Sequence, residues 1–176
     1  MIIISPAKNL NILSENPALK FSKPIFNNDS NLLVNQLKKL KFGKLKNLMN
    51  ISDSLTEINL QRFQDFNSNG NVLKPAVFLF SGDTFNGLSI RSFSKEMLLS
   101  AQDRLRILSG LYGLLRPLDL IQPYRLEMGT KINSILGTSL PDFWKKKITS
   151  RLNNDLSRSK TKFLFNLSSK EYFESI

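Results

Sequence analysis

Polar residues that could do chemistry follow short apolar runs at three points of the chain. Lys8, Asp83 and Lys170 come shortly after residues 2–4, 77–80 and 162–167, which the sequence predicts to be buried strands. In open α/β sheets, ligand crevices lie at the carboxyl ends of strands, so the three side chains could converge on one pocket. Ordinary strand exits with helix-capping residues have the same spacing, and the sequence leaves both interpretations open.

A second set of polar residues lies within the largely apolar segment 104–129. Its members are Tyr112, Arg116, Asp119, Tyr124, Arg125 and Glu127. A polar group in apolar surroundings must be paired or functional, and the arginine fork binds phosphate or carboxylate bidentately. The alternative is internal pairing, of Arg116 with Asp119 and of Arg125 with Glu127. The spacing favours neither.

The chain contains no cysteine and no histidine. This composition excludes thiolate nucleophiles, iron–sulfur clusters, cysteine-type zinc sites and every catalytic pair of serine with histidine. The acidic residues are scattered, so we expect neither a metal site nor a cofactor. The remaining catalytic options are Ser5, Ser81 or Ser109 with a lysine base (Lys8 or Lys170), and carboxylate–tyrosine pairs. Whether the protein is an enzyme stays open.

The charge of the chain is strongly basic: 25 Lys and Arg stand against 14 Asp and Glu, a formal net charge of +11. Such a balance suggests a polyanionic partner, although a run of charges is also typical of a solvated helix face. The candidate contacts to nucleic-acid phosphates are Lys38, Lys39, Lys41, Lys44, Lys46, Arg104, Arg106, Lys145, Lys146 and Lys147. Two short helices over residues 44–66 resemble a helix-hairpin-helix, a module that binds phosphates.

The elements that must position these residues are short strands among helices. Apolar spacing predicts helices from Asn31 to a break at Gly43, over residues 45–49, from a capping box at Ser54, and over residues 94–108 and 143–156. A further helix starts at Ser168 or Ser169, and residues 107–115 read as a strand followed by a turn. The pattern predicts a mixed α/β fold in a single domain, residues 1–176. No apolar run has membrane-spanning length and no signal peptide is evident, so we expect a cytoplasmic protein without a membrane partner.

Four stretches of sequence, residues 3–8, 80–88, 105–129 and 166–173, resemble motifs of the YaaA family of bacterial peroxide stress proteins, in the same order. The resemblance implies an unusual α/β fold with a positively charged cleft and a helix-hairpin-helix. It also implies a cytosolic protein that binds double-stranded DNA and limits iron-dependent oxidative DNA damage under hydrogen peroxide. All nine candidate catalytic residues, from Lys8 to Lys170, fall within the matched motifs. Family members are usually longer, so the resemblance predicts that the domain is truncated at its C-terminus.

Two functional hypotheses follow. The first is a stress protein that binds the DNA backbone through its basic residues. The second is an enzyme of undefined reaction, whose pocket would be formed by Lys8, Asp83, Arg116, Tyr124, Arg125 and Lys170. Direct iron binding is disfavoured because the ligands that iron prefers, histidine and cysteine, are missing.

Overall fold

The computed structural model describes residues 1–13, 16–159 and 162–176. The strands are β1 (Ile2–Ile4), β2 (Asn9–Leu10), β3 (Lys74–Pro75), β4 (Phe80–Ser81), β5 (Leu105–Ser109), β6 (Gly113–Leu115), β7 (Leu120–Ile121) and β8 (Phe165–Leu167). The α-helices are α1 (Asn27–Leu37), α2 (Phe42–Met49), α3 (Asp53–Gln64), α4 (Ala76–Leu79), α5 (Asp83–Leu88), α6 (Lys95–Arg104), α7 (Asn133–Leu136), α8 (Leu140–Arg158) and α9 (Lys170–Phe173). The fold is mixed α/β, as predicted.

The central sheet has the strand order β6-β5-β1-β8. Strand β1 runs parallel to both β5 and β8, whereas β6 pairs with β5 in antiparallel orientation. Because β1 and β8 are parallel, their carboxyl ends meet at the same edge, where the Ser169 amide donates a hydrogen bond to Ser5 Oγ at 2.9 Å. This edge is where the sequence predicts a ligand site.

The core extends from the central sheet to α8 on one side and to buried residues of α1, α3 and α4 as well. Every residue of β5 is buried, and Trp144 of α8 is fully buried against the turn that joins β5 to β6. The indole Nε1 donates a hydrogen bond to the Gly110 carbonyl at 2.9 Å. Gly113 starts β6 with φ 68°, and a Cβ atom there would lie 2.5 Å from the Trp144 ring. Glycine at this position therefore permits both the left-handed backbone and the close approach of the indole.

The predictions of β1, of the strand and turn within 107–115, of the amphipathic helix around Trp144 and of a helix after Ser169 are confirmed. The predicted strand over residues 77–80 is wrong: it forms the buried helix α4 and only Phe80 enters a strand. A short run that is apolar on all sides has no periodicity, so sequence cannot distinguish a buried strand from a buried helix. Strand β8 exists, but its side chains are exposed rather than buried.

Several predicted helix limits are also wrong. The helix predicted over 94–108 ends at Arg104, because Leu105 and Leu108 join the sheet in β5. Helix α1 begins at Asn27 instead of Asn31, and Gly43 lies in the first turn of α2 instead of breaking a helix. The cap of α3 is Ser52, whose Oγ accepts from the Leu55 amide, and not Ser54. At Leu105 the pairing of β5 in the sheet overrides the local helical signal.

Within the three described ranges, no helix combines the length and the apolar character that crossing a membrane requires.

Candidate functional site

A cleft of about 1000 Å³ opens at the edge where β1 and β8 end. Helix α2 contributes one wall, which includes Lys44 and Asn47. The opposite wall consists of Lys8 after β1, the segment from Arg125 to Lys131 after β7, and Glu171 of α9. Residues that are far apart in sequence therefore meet here, because the parallel strands bring their following segments to one edge. We call this space the cleft.

Three charged side chains form a connected cluster in the cleft. Lys8 Nζ lies 2.9 Å from Glu127 Oε2, and an Arg125 terminal nitrogen lies 2.9 Å from Glu127 Oε1. Arg125 and Glu127 are largely buried, whereas Lys8 is mostly exposed. The internal pairing of Arg125 with Glu127 is thus confirmed, but it takes place at the surface of a cavity where a ligand could compete for it.

Glu171 supports the same wall from α9. Its Oε1 accepts a hydrogen bond from the Gly129 amide at 2.7 Å. A Cβ atom at position 129 would come within 3.1 Å of that oxygen, so the backbone approaches the carboxylate closely because residue 129 is glycine. This contact ties the segment after β7 to the C-terminal helix of the described chain.

A smaller cavity of about 210 Å³ adjoins the cleft, and we call it the inner cavity. Four charged residues line both spaces: Lys8, Arg125, Glu127 and Glu171. The rest of the inner cavity is formed by apolar or aromatic side chains, among them Ala7, Tyr124 and Tyr172, and by two serines. The arrangement offers donors, acceptors and flat apolar surface within one small volume.

The tyrosines of this region are held protonated. Burial raises the pKa of the Tyr112, Tyr124 and Tyr172 hydroxyls above the ordinary value of 10.0. The Tyr124 hydroxyl bonds with Ser109 Oγ at 2.6 Å, and the Tyr112 oxygen accepts from the Gln122 amide at 3.0 Å. A hydroxyl with a raised pKa is a poor general base, so these tyrosines act as neutral hydrogen-bonding and packing groups.

The structure brings some of the candidate catalytic residues together and separates others. Lys8, Tyr124, Arg125 and Glu127 line the inner cavity. Asp83 lines a different cavity, of about 250 Å³, together with Lys8 and Ser81. Ser5 lines the inner cavity, whereas Ser109 is buried beneath it.

The remaining candidates lie elsewhere. Arg116 pairs with Asp119, with its Nε and a terminal nitrogen 3.2 and 2.9 Å from Asp119 Oδ1. Asp119 is fully buried and also accepts from Ser22 Oγ at 2.6 Å, so this pair fixes a loop. Lys170 is exposed at the start of α9, and Tyr112 is buried in the core. The single pocket of six residues that the enzyme hypothesis predicts therefore does not form as a whole.

The basic residues predicted to contact DNA have different surroundings. Lys41, Arg104, Lys145 and Lys146 are exposed, and Lys44 is exposed at the cleft. Others already have partners within the described chain. These are Lys38 with the Phe66 carbonyl, Lys39 with Gln36, Lys46 with Asp53, and Lys147 with Asp29 and the Phe143 ring.

Arg106 is the clear departure from the predicted surface set, because only 5% of its area is exposed. Its guanidinium bonds Asp155 of α8 and two backbone carbonyls. The side chain points from β5 into the interface with α8, so it is unavailable to a phosphate. Alternation along the strand decides this orientation, whereas the apolar spacing predicts a helix at this position.

Sequence reasoning missed two charged residues of the cleft, Lys131 and Glu171. Both lie next to recognised motifs: Lys131 just beyond segment 104–129, and Glu171 beside Lys170. The signal for Glu171 was its place in the first turn of a helix after a strand. Across the described ranges, no group of three or more acidic side chains comes together in a way that could hold a metal ion.

The sequence of the chain is similar to one known protein family and to several curated proteins. The sequence profile of the family described as "Peroxide stress protein YaaA" matches residues 1–176. The chain belongs to the YaaA family. A relative from Alcanivorax borkumensis, named only as a UPF0246 protein, is 45% identical over 178 residues, which cover 100% of this chain and 69% of the relative. UPF0246 proteins of Saccharophagus degradans and Neisseria meningitidis are 47% and 42% identical, with coverage of 100% and 99% of this chain and 70% and 68% of theirs.

Proposed function

We propose that this YaaA family member is a cytosolic protein that binds double-stranded DNA and limits iron-dependent oxidative damage to it during peroxide stress. The observation that carries the proposal is the group of cations around the cleft. Lys41, Lys44 and Lys131 are exposed there or beside it, and no ion pair joins them to another described residue. Lysines of this kind bind a phosphate backbone without reading sequence.

The helices α2 and α3 supply a second contact for phosphates. They pack against each other and are joined by a turn of three residues, in which Asn50 adopts the left-handed conformation with φ 50°. The asparagine takes the role that glycine has in a typical helix-hairpin-helix. Amide groups at the start of α3 favour an anion, and Lys46, 2.6 Å from Asp53, offsets the one acidic side chain in that first turn.

Protection from iron follows from the same contacts. DNA carries condensed cations along its backbone, and a protein that neutralises phosphates releases them. Ferrous ions bound at phosphates would be released with the others, which removes iron from the place where peroxide would damage the strand. This mechanism requires no iron ligand on the protein, in keeping with a chain that has no histidine or cysteine.

The test is a salt titration of binding to a mixed-sequence duplex, measured by fluorescence anisotropy. Replacement of Lys41, Lys44 and Lys131 by alanine should flatten the plot of log K against log salt by about 0.9 for each phosphate that the variant no longer neutralises. The matched control replaces Lys20, Lys23 and Lys95, three exposed lysines outside the cleft, and removes the same charge. Equal slopes for both triple variants would refute the assignment of the cleft, and no measurable binding by the parent protein would refute the function.

Protection is measured separately, as nicking of supercoiled plasmid by ferrous iron and hydrogen peroxide. The parent protein and the control variant should reduce nicking, and the cleft variant should not. Protection that persists in the cleft variant would show that iron is removed by another route.

A second candidate function is an enzyme that acts at the cluster of Lys8, Arg125 and Glu127. The observation in its favour is the inner cavity, where this cluster meets buried aromatic walls. Incubation with duplex and single-stranded oligonucleotides, followed by mass spectrometry, would detect a covalent change. A change that Lys8→Met abolishes would support catalysis, and unaltered oligonucleotides would contradict an activity on DNA.

A further inference from the structure

We propose that the inner cavity binds a single guanine base, which leaves the DNA helix and enters from the strand held at the cleft. The delivery of the base rests on the proposed DNA binding, whereas the recognition of guanine rests on the cavity alone. Four properties of the cavity favour this ligand: its size, its charge balance, its hydrogen-bonding pattern and its continuity with the cleft.

The size of the cavity selects a small flat ligand. Its volume of about 210 Å³ is below the range of about 300–1,000 Å³ that is typical of pockets for drug-sized molecules. The rings of Tyr124 and Tyr172 form part of its wall, and both side chains are at least nine-tenths buried. Aromatic and small apolar walls of this kind suit a planar ring, and enzymes that extrude a base hold it between such surfaces.

The charge balance argues against an anion as the occupant. The cavity has two cations, Lys8 and Arg125, and two carboxylates, Glu127 and Glu171. A phosphate or carboxylate ligand would have to approach both acidic groups, with a repulsive cost. A neutral ring that carries both donors and acceptors matches all four side chains.

The donors of the cavity match one edge of guanine. Arginine and lysine donate to the guanine O6 and N7 atoms in the commonest specific contact between proteins and bases. Arg125 Nε is buried and has no hydrogen-bond partner among the described residues, although its terminal nitrogen binds Glu127. A buried donor without a partner costs free energy, so a turn of the Arg125 side chain that brings Nε to the cavity and to an acceptor on a bound base would be favoured.

The acceptors of the cavity match the opposite edge. Glu171 uses Oε1 for the Gly129 amide, and within the described ranges its Oε2 accepts no hydrogen bond. A carboxylate accepts from two neighbouring donors, and guanine offers N1–H and its amino group side by side. Adenine has a ring acceptor where guanine has N1–H, so it would place a lone pair against the carboxylate.

The cleft provides the route into the cavity. The four charged residues line both spaces, so their side chains form the partition between the cleft and the inner cavity, and a base enters when the exposed Lys8 turns away from Glu127. A strand bound through Lys44 and Lys131 would run past the mouth of the inner cavity. One nucleotide turned out of the duplex would then place its base among the charged groups and its phosphate at the cleft.

The first experiment measures binding of guanosine alone by isothermal titration calorimetry and does not depend on DNA. We expect guanosine to bind at least tenfold more tightly than adenosine. Ala7→Leu fills the inner cavity without a change of charge and should weaken guanosine binding at least tenfold. The matched control is Ala101→Leu, which adds the same bulk at a half-buried position of α6.

A second variant tests the same site in case Ala7→Leu does not fold. Glu171→Gln keeps an acceptor for the Gly129 amide and removes the carboxylate, so we expect a fall in guanosine affinity of at least fivefold with an unchanged thermal melt. Equal binding of guanosine and adenosine, or no binding of either, would overturn the assignment of a guanine site.

The second experiment uses a duplex that contains a fluorescent guanine analogue, whose emission rises when the base leaves the stack. Anisotropy of a label at the duplex end reports DNA binding in the same sample. A rise of both signals, with the emission change abolished in Ala7→Leu and the anisotropy retained, would support the proposal. A rise of anisotropy alone would overturn base extrusion and leave DNA binding intact. Guanosine binding without any rise of anisotropy would support the guanine site and refute the DNA-binding function.

Discussion

The buried ion pair between β5 and α8 gives a sharp prediction for stability. Arg106 lies in β5 and Asp155 in α8, and the guanidinium donates from Nε and a terminal nitrogen to the same carboxylate oxygen, at 3.0 and 2.9 Å. Replacement of Arg106 by methionine keeps most of the volume and leaves the carboxylate, 10% exposed, without its main partner. A broken buried pair costs about 3–5 kcal/mol.

The expected loss lies at the lower end of that range. Arg151 Nε also donates to Asp155, at 2.8 Å, and this bond remains in Arg106→Met. We therefore expect the free energy of unfolding to fall by about 3 kcal/mol, which lowers the melting temperature by about 6–12 °C in a chain of this length. The assay is urea unfolding, followed by the fluorescence of Trp144, the one tryptophan, which is fully buried.

The double variant Arg106→Met/Asp155→Leu is the matched control. It removes both charges, and Arg151, a third of which is exposed, can turn to solvent. Because a buried pair replaced by apolar residues of similar size is often as stable as the original, we expect the double variant to recover most of the stability. A loss below about 1 kcal/mol in the single variant, or a greater loss in the double variant, would refute the reasoning.

Two further predictions concern buried groups. Burial raises the pKa values of all three tyrosines, so the folded protein should show no phenolate absorbance near pH 10. Their contribution to stability is complete below that pH and is lost as the pH rises further. A phenolate absorbance step near pH 10 in the folded state would contradict the burial. Gly113→Ala should destabilise by about 2–4 kcal/mol in urea unfolding, because it combines a left-handed backbone with overpacking against Trp144. Gly137→Ala has the same backbone conformation and open space, so it should lose only about 1–2 kcal/mol, and equal losses would show that the indole moves aside.

Part of the candidate site was accessible from the sequence. The rule that ligands bind at the carboxyl ends of parallel strands identified Lys8, and the polar residues within an apolar segment identified Arg125 and Glu127. The same reasoning also selected Arg116 and Asp119, which form a pair that fixes a loop. Sequence spacing shows that a charged group needs a partner, but the partner chosen depends on which segments fold together.

The sequence by itself determined the family, the basic charge, the exclusion of histidine and cysteine chemistry, and the elements with clear periodicity, such as α8. These properties are local or compositional, so each can be seen within one stretch of chain. Only the tertiary structure decided that residues 76–79 form a helix, that Lys8 meets Glu127, and that Arg106 is buried on Asp155, 49 positions away. Burial and pairing arise from contacts between distant segments, and the free energy of those contacts outweighs the local preferences that a sequence pattern reports.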